Sequence, residues 1–191
     1  MSPTKRIVIF ASGNGTNAQR IIEYFKGKNV TIALVLSNKA TANVLERANV
    51  LDVSAISFNR KTLYNTHQIL AILNEIKPNL IVLAGFLWLF PENILNTFPN
   101  KVINIHPALL PDFGGKGMYG DRVHKAVIAA AKEESGITIH YVTSEYDKGN
   151  IIFQAKTSIS PGETPKTLEK KIHELEYEHF PKVIEKLLNE N

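Results

Sequence analysis

The sequence contains no cysteine and no long apolar run. The first absence excludes a disulfide framework, a thiol nucleophile and any zinc or iron–sulfur site built on cysteine. No apolar run approaches the roughly 18 residues needed to cross a bilayer, and the run at 7–11 is shorter than the apolar region of a signal peptide. We therefore expect a soluble, cytoplasmic protein that does not bind a membrane.

Dense runs of one charge are also missing. The net charge is +4, and the excess of basic residues lies in the N-terminal third of the chain without forming a basic arm. This distribution argues against a nucleic-acid partner and suits a small anionic ligand. The histidines show no metal-ligand spacing, so we expect no metal. With 44% hydrophobic residues in 191, the length favours a single domain over 1–191, as a monomer or a homodimer.

Apolar, β-branched runs alternate with stretches of helical length. Strands are predicted at 7–11, 32–36, 80–84 and 102–105, with a weaker one at 53–56, and helices at 17–27, 41–49, 62–76 and 91–97. This alternation predicts an α/β fold with an open, mostly parallel twisted sheet and helices on both faces. Ligands in such sheets bind at the carboxyl ends of the strands.

The C-terminal part differs from this pattern. A glycine-rich loop at 114–120 precedes a predicted helix at 121–132, and strands at 136–142 and 151–155 are joined by a short turn. Because so short a connection forces antiparallel pairing, we expect the sheet to be antiparallel at one edge. A final helix is predicted from 164 to about 188, with a possible break at Pro181.

The loop after the first strand reads Ser12-Gly13-Asn14-Gly15-Thr16-Asn17. Glycines let a backbone approach a ligand, and the amides at a helix N-terminus attract anions. With Ala18 the loop also fits a dinucleotide fingerprint, but the second strand lacks the acidic residue that would hold a ribose. A phosphate monoester, a dinucleotide and a plain tight turn with Thr16 as N-cap all remain open.

Asn104 and His106 end the fourth strong strand, just before Pro107. Two residues apart in a strand, they share one face, where an amide and an imidazole can both reach an oxygen that becomes negative during acyl transfer. Asp147 lies in a turn before Gly149; it is either an ordinary turn residue or a carboxylate that favours the charged form of His106. The apolar segment Phe86-Leu87-Trp88-Leu89-Phe90 is either core or the wall of a pocket for a flat ligand.

These motifs together resemble the phosphoribosylglycinamide formyltransferase family. The match covers nearly the whole chain and rests, in order, on Ser12 to Asn17, Ser37-Asn38-Lys39, Leu83-Ala84-Gly85-Phe86, the segment from Asn104 to Pro111, and Asp147-x-Gly149. The Asn-Ile-His-Pro-x-Leu-Leu-Pro segment is specific for folate-dependent formyl transfer, and the first loop is typical of the glycinamide ribonucleotide branch.

The resemblance implies transfer of the formyl group of 10-formyltetrahydrofolate to the amine of glycinamide ribonucleotide in purine biosynthesis. It implies that Asn104 and His106 stabilise the oxyanion and that Asp147 keeps the imidazole charged. It further implies a substrate phosphate site formed by Gly13, Asn14, Gly15, Thr16, Asn17, His173 and Glu176. Folate contacts would come from Arg60 or Lys61, from Phe86, Leu87, Trp88, Leu89 and Phe90, and from Asn104, Thr143 and Asp147. Trp88 departs from the family pattern, because many relatives have arginine there.

Two other interpretations stay open. The first is another folate-dependent formyl enzyme, a formyltetrahydrofolate hydrolase or a methionyl-tRNA formyltransferase, although each would normally carry an additional domain that we do not expect in this chain. The second is a non-catalytic module that binds a phosphorylated ligand through residues 12–17, with His106 purely structural.

Overall fold

A computed structural model describes residues 3–190 as alternating strands and helices. The strands are β1 (Lys5–Ala11), β2 (Val30–Ser37), β3 (Ala55–Ser57), β4 (Leu80–Leu83), β5 (Val102–His106), β6 (Glu134–Tyr141) and β7 (Ile151–Ser158). The helices are α1 (Thr16–Phe25), α2 (Asn43–Val50), α3 (Arg60–Tyr64), α4 (Gln68–Ile76), α5 (Glu92–Thr97), α6 (Asp121–Ala129) and α7 (Pro165–Glu190).

The strands form one seven-stranded sheet in the order β3-β2-β1-β4-β5-β6-β7. The first five strands of this order pair in parallel, whereas β6 is antiparallel to both of its neighbours. The predicted mixed sheet is therefore confirmed. The chain reverses its direction of winding between β1 and β4, and this is where open α/β sheets leave a crevice at the carboxyl ends of their strands.

Each face of the sheet is covered by its own hydrophobic core. In β1, Ile7 and Ile9 face a core shared with α1, α2, α6 and α7, whereas Val8 and Phe10 face a core shared with α3, α4 and α5. Alternate residues of a strand point to opposite faces, so a strand that is buried on both sides must be apolar throughout. This requirement explains the continuous apolar runs in the sequence.

The predicted helix at 62–76 is wrong in one respect, because it is two helices. A capping box between Asn59 and Thr62 starts α3, and His67, at a φ of 54°, separates α3 from α4. A residue in the left-handed conformation cannot continue a right-handed helix. At this break Nδ1 of His67 lies 2.8 Å from Nδ2 of Asn93.

Pro181 does not break the last helix. Proline has no N–H, so the carbonyl of Tyr177, four residues earlier, loses its usual helical partner. The Nε atom of Arg20 in α1 donates to this carbonyl at 3.4 Å. Pro181 itself is buried beside Phe180 and Ile184, so packing and this side-chain hydrogen bond maintain the helix across the proline.

Within residues 3–190, no helix has the length and apolar character needed to cross a membrane.

Candidate active site

A cavity of about 590 Å³ opens at the carboxyl ends of β1, β4 and β5. It is bordered by the loop after β1, the loop after β4, the end of β5, the glycine-rich loop and one side of α7. The structure brings twelve of the predicted site residues to this cavity: Gly13, Asn14, Gly15, Thr16, Asn17, Phe86, Leu87, Asn104, His106, Asp147, His173 and Glu176.

One end of the cavity is the N-terminus of α1. Gly15 is the N-cap, with a φ of 77°, and no side chain caps the helix. The expectation that Thr16 is the N-cap is therefore wrong, because Thr16 is already the first helical residue. Uncapped N–H groups and the helix dipole favour an anion at this position, and glycine at the N-cap lets it approach the backbone closely.

Glu176 of α7 lies beside this loop. Its Oε2 accepts a hydrogen bond of 2.8 Å from Nδ2 of Asn17, and the side chain is buried. Burial raises the pKa of Glu176 to about 7, and the negative charge of Glu169 adds to this effect while the Asn17 hydrogen bond opposes it. His173, one turn earlier, lines the same cavity and stacks on Tyr177.

The other end of the cavity holds the three predicted catalytic side chains. Asn104 and His106 line the cavity as predicted, and Ile103 belongs to the core beneath. Ile105 belongs to the same core and also borders the cavity. Asp147 comes from the loop between β6 and β7, and its Oδ2 lies 3.5 Å from Nδ1 of His106. The sequence could not show that residues 41 positions apart meet, because the contact depends on β6 returning antiparallel to β5.

Opposing effects set the protonation states of His106 and Asp147. Burial lowers the pKa of His106 below its ordinary value, and the Asp147 carboxylate and the Phe113 carbonyl offset only part of this effect. Asp147 thus acts in the predicted direction, but burial outweighs it. Burial of Asp147 would itself raise the pKa of this carboxyl, but His140, His106 and the Gly115 N–H lower its pKa overall. The free protein therefore favours a neutral imidazole beside an ionised carboxylate.

The backbone of the glycine-rich loop also contacts this group. Nε2 of His106 donates to the Phe113 carbonyl at 2.8 Å, and the Gly115 N–H donates to Oδ2 of Asp147 at 2.9 Å. A side chain at Gly114 would come within 2.6 Å of Leu110 and 3.2 Å of Asp147. The loop therefore holds His106 and Asp147 through its backbone, and glycine at 114 lets it lie close to Asp147.

His140 is a site residue that the sequence reasoning missed. It is buried in β6 opposite Asn104, its Nδ1 donates to the Tyr141 carbonyl at 2.8 Å, and its Nε2 lies 3.1 Å from Nδ2 of Asn104. Nε2 also lies 3.6 Å from Oδ1 of Asp147. Because a carbonyl only accepts, Nδ1 carries a proton, and in the neutral ring Nε2 accepts from the amide. This fixes the orientation of the Asn104 NH₂ group and leaves its second hydrogen available. The signal in the sequence is the alternation of β6, which puts His140 and Thr138 on its more polar face, the face that carries Asn104 and His106 on β5.

The segment from Phe86 to Phe90 lies partly in the core and partly along the cavities. Phe86 and Phe90 pack against Phe10 in the core, whereas Leu87, Trp88 and Leu89 are half-buried. A smaller cavity of about 50 Å³ adjoins the catalytic group and is lined by Phe86, Trp88, Leu89, Phe90, Asn104, Thr143 and Asp147 among others.

The two basic candidates differ in position. The Arg60 guanidinium lies 5.0 Å from the centre of the Trp88 ring and 5.2 Å from that of Tyr64, within cation–π range. Arg60 therefore reaches the aromatic wall of the smaller cavity. Lys61 is exposed and lines neither of the two cavities.

No group of three or more His, Asp or Glu side chains suited to a metal ion occurs in the part of the chain that the structure describes.

Comparison with known proteins places this geometry in a family. The model of the formyl transferase family matches residues 5–184. The chain is 36% identical to phosphoribosylglycinamide formyltransferase of Bacillus subtilis, covering 98% of this chain and 96% of that protein. It is 33% identical to the chloroplastic enzyme of that name from Arabidopsis thaliana, with 94% of this chain matched, and spans 64% of that relative's length.

A solved structure agrees with this assignment. The fold superposes on glycinamide ribonucleotide transformylase 1 from Geobacillus kaustophilus with a TM-score of 0.87 at 36% identity, covering 97% of this chain and 99% of the other. The chain therefore belongs to the formyl transferase family and, within it, to the phosphoribosylglycinamide formyltransferases.

Proposed function

We propose that the protein transfers the formyl group of 10-formyltetrahydrofolate to the amine of glycinamide ribonucleotide in purine biosynthesis. The observation that carries this proposal is one continuous cavity with an anion-binding helix N-terminus at one end and Asn104, His106 and Asp147 at the other. A phosphorylated amine held at its phosphate would place its amine near the catalytic group. The relatives named above support the choice of substrates.

The chemistry follows from the hydrogen bonds at the catalytic end. When the amine attacks the formyl carbon, the carbonyl oxygen becomes negative, and the free hydrogen of the Asn104 NH₂ group donates to it. The amine must also lose a proton. Nε2 of His106 already donates to Phe113, so Nδ1 is the nitrogen that can accept this proton, beside the Asp147 carboxylate.

The imidazolium formed in this step is stabilised by the Asp147 carboxylate beside Nδ1. The proton can then return to the folate nitrogen as the carbon–nitrogen bond breaks, which gives the formylated amine and tetrahydrofolate. The charged imidazole expected from the sequence thus arises during the reaction rather than before it.

We assign the phosphate to residues Gly13 to Asn17 with His173 and Glu176, and the folate to the smaller cavity and its aromatic wall. Trp88 presents a ring where many relatives have arginine, and Arg60 lies against this ring. In this chain Arg60 is the cation available at that wall for a folate carboxylate.

The test is to mix the purified protein with glycinamide ribonucleotide and 10-formyltetrahydrofolate and to measure formylated nucleotide and free formate separately. Formylated nucleotide in equal amount to the folate consumed is the expected result. Free formate as the main product would instead identify a hydrolase. If both ligands bind and neither product forms, the protein is a binding module and the proposal is wrong.

A further inference from the structure

We infer that Arg47, a residue of α2 outside the cavity, is a positioning residue that orients the phosphate-binding loop. This inference rests on the proposed function of that loop. Nε of Arg47 donates to the backbone carbonyl of Asn14 at 2.8 Å, and its Nη2 donates to the side-chain oxygen of Asn14 at 3.0 Å. A third donor, Nη1, contacts Gln19 of α1.

Helix α2 also holds the peptide group between Gly13 and Asn14. The Val44 N–H donates to the Gly13 carbonyl at 3.2 Å. Val44 also packs tightly over the loop, because a side chain at Gly15 would lie 2.4 Å from it. Two successive carbonyl groups of the loop, those of Gly13 and Asn14, are therefore both held towards α2.

The geometry of the peptide bond determines which backbone groups of the loop face the cavity. In a trans peptide the C=O of one residue and the N–H of the next point in opposite directions. When the Gly13 and Asn14 carbonyls face α2, the N–H groups of Asn14 and Gly15 face away from it, towards the cavity that both residues line. Arg47 thereby determines which polar groups of the loop an anion meets.

The fork of the guanidinium is necessary for this role. Arg47 contacts a backbone oxygen, a side-chain oxygen and the neighbouring helix at once, which a lysine ammonium on a single flexible stem cannot do. Without these contacts the Asn14–Gly15 peptide can rotate, and a rotated peptide presents the Asn14 carbonyl oxygen to the phosphate. Arg47 does not line the cavity itself, so its effect on phosphate binding passes through the loop.

The experiment compares Arg47→Met and Arg47→Lys with Lys26→Met, which removes one positive charge from an exposed position at the other end of α1. Calorimetry measures binding of glycinamide ribonucleotide and of its dephosphorylated riboside, with no folate present. Steady-state kinetics then gives KM for the nucleotide and kcat at saturation.

We expect Arg47→Met to weaken nucleotide binding about tenfold, which is the effect of losing one charge-assisted hydrogen bond. Riboside binding and kcat should stay within about twofold of wild type, because the catalytic end is unchanged. The nucleotide affinity of Arg47→Lys should lie between those of wild type and Arg47→Met. Lys26→Met should bind the nucleotide as wild type does.

Equal weakening of nucleotide and riboside would mean that the substitution damages the whole site, and unchanged nucleotide binding would mean that the loop needs no support. Either result overturns the inference. If wild-type protein binds the nucleotide but does not formylate it, the proposed function fails while the binding comparison still tests Arg47.

Discussion

Asn104 can donate to a carbonyl oxygen only if the NH₂ end of its amide faces that oxygen. The amide cannot select this orientation by itself, since its oxygen and nitrogen ends have nearly the same shape. In its neutral form His140 makes the selection, because the Tyr141 carbonyl holds the proton on Nδ1 and Nε2 accepts from the amide. A buried, apparently structural histidine thus determines the chemistry of its neighbour.

His106→Ala tests the catalytic role at the residue scale. Removal of the imidazole takes away the group that accepts the proton of the attacking amine, so kcat should fall by at least about 100-fold. Binding of glycinamide ribonucleotide should change little, because the proposed phosphate site lies at the other end of the cavity. Steady-state kinetics checks both values, with His67→Ala, an exposed histidine, as control. Turnover equal to wild type would falsify the catalytic assignment.

Glu176→Gln tests the buried carboxyl group. The pKa of Glu176 is raised from 4.5 to about 7 in the folded protein, so its contribution to stability is present below pH 4.5 and is lost as the pH rises to about 7. Glutamine keeps an acceptor for Asn17 and carries no charge. Between about pH 5 and pH 8, the variant should therefore gain roughly 2 to 3 kcal/mol in unfolding free energy relative to wild type.

Urea unfolding at several pH values measures this gain, and Glu174→Gln, an exposed position on the same helix, is the matched control. A difference between Glu176→Gln and wild type that does not depend on pH would contradict the raised pKa.

At the scale of elements, the sequence predicted best where burial imposes a strict pattern. Strands β1, β2, β4 and β5 are covered on both faces and were placed within a few residues of their observed bounds. The errors occur where an individual backbone conformation or long-range contact matters, as at His67 and Pro181. Packing around Pro181 and the contact from Arg20 to the Tyr177 carbonyl have no signature in the local sequence.

The end of α4 offers a test of backbone conformation. Lys77 is exposed and closes the helix at a φ of 52°, a left-handed conformation that a β-carbon disfavours. Lys77→Gly should therefore stabilise the protein by about 0.5 to 1 kcal/mol. Ala71→Gly, at an exposed position inside the same helix, should instead destabilise it by about 1 kcal/mol. Thermal unfolding of both variants checks the signs, and loss of stability in both would show that Lys77 is unstrained.

At the scale of the whole molecule, the active site is assembled from segments that are far apart in the chain. The sequence could predict the proposed catalytic residues, because Asn104, His106 and Asp147 lie in recognisable motifs. The sequence could not predict the distances between these residues or the contacts of His140 and Arg47. Each depends on how strands and helices from different parts of the chain pack together.

The separation of the two ends of the cavity leads to a prediction for the whole molecule. Glycinamide ribonucleotide at about 100 times its Kd should raise the unfolding free energy by about 2.7 kcal/mol through mass action. Because its phosphate binds away from the catalytic group, His106→Ala should be stabilised by the nucleotide to the same extent. Thermal shift with and without nucleotide measures this, and loss of the shift in His106→Ala would show that the two ends are not independent.

The outer strands of the sheet have a consequence for self-association. On one side β3 offers only three residues, and on the other side β7 follows a register shift and carries Lys156 paired with Glu134 at 2.9 Å. An incoming strand from another molecule could form few backbone hydrogen bonds at β3 and would have to desolvate a charged pair at β7. Both features make the addition of a strand from another molecule less favourable at these edges.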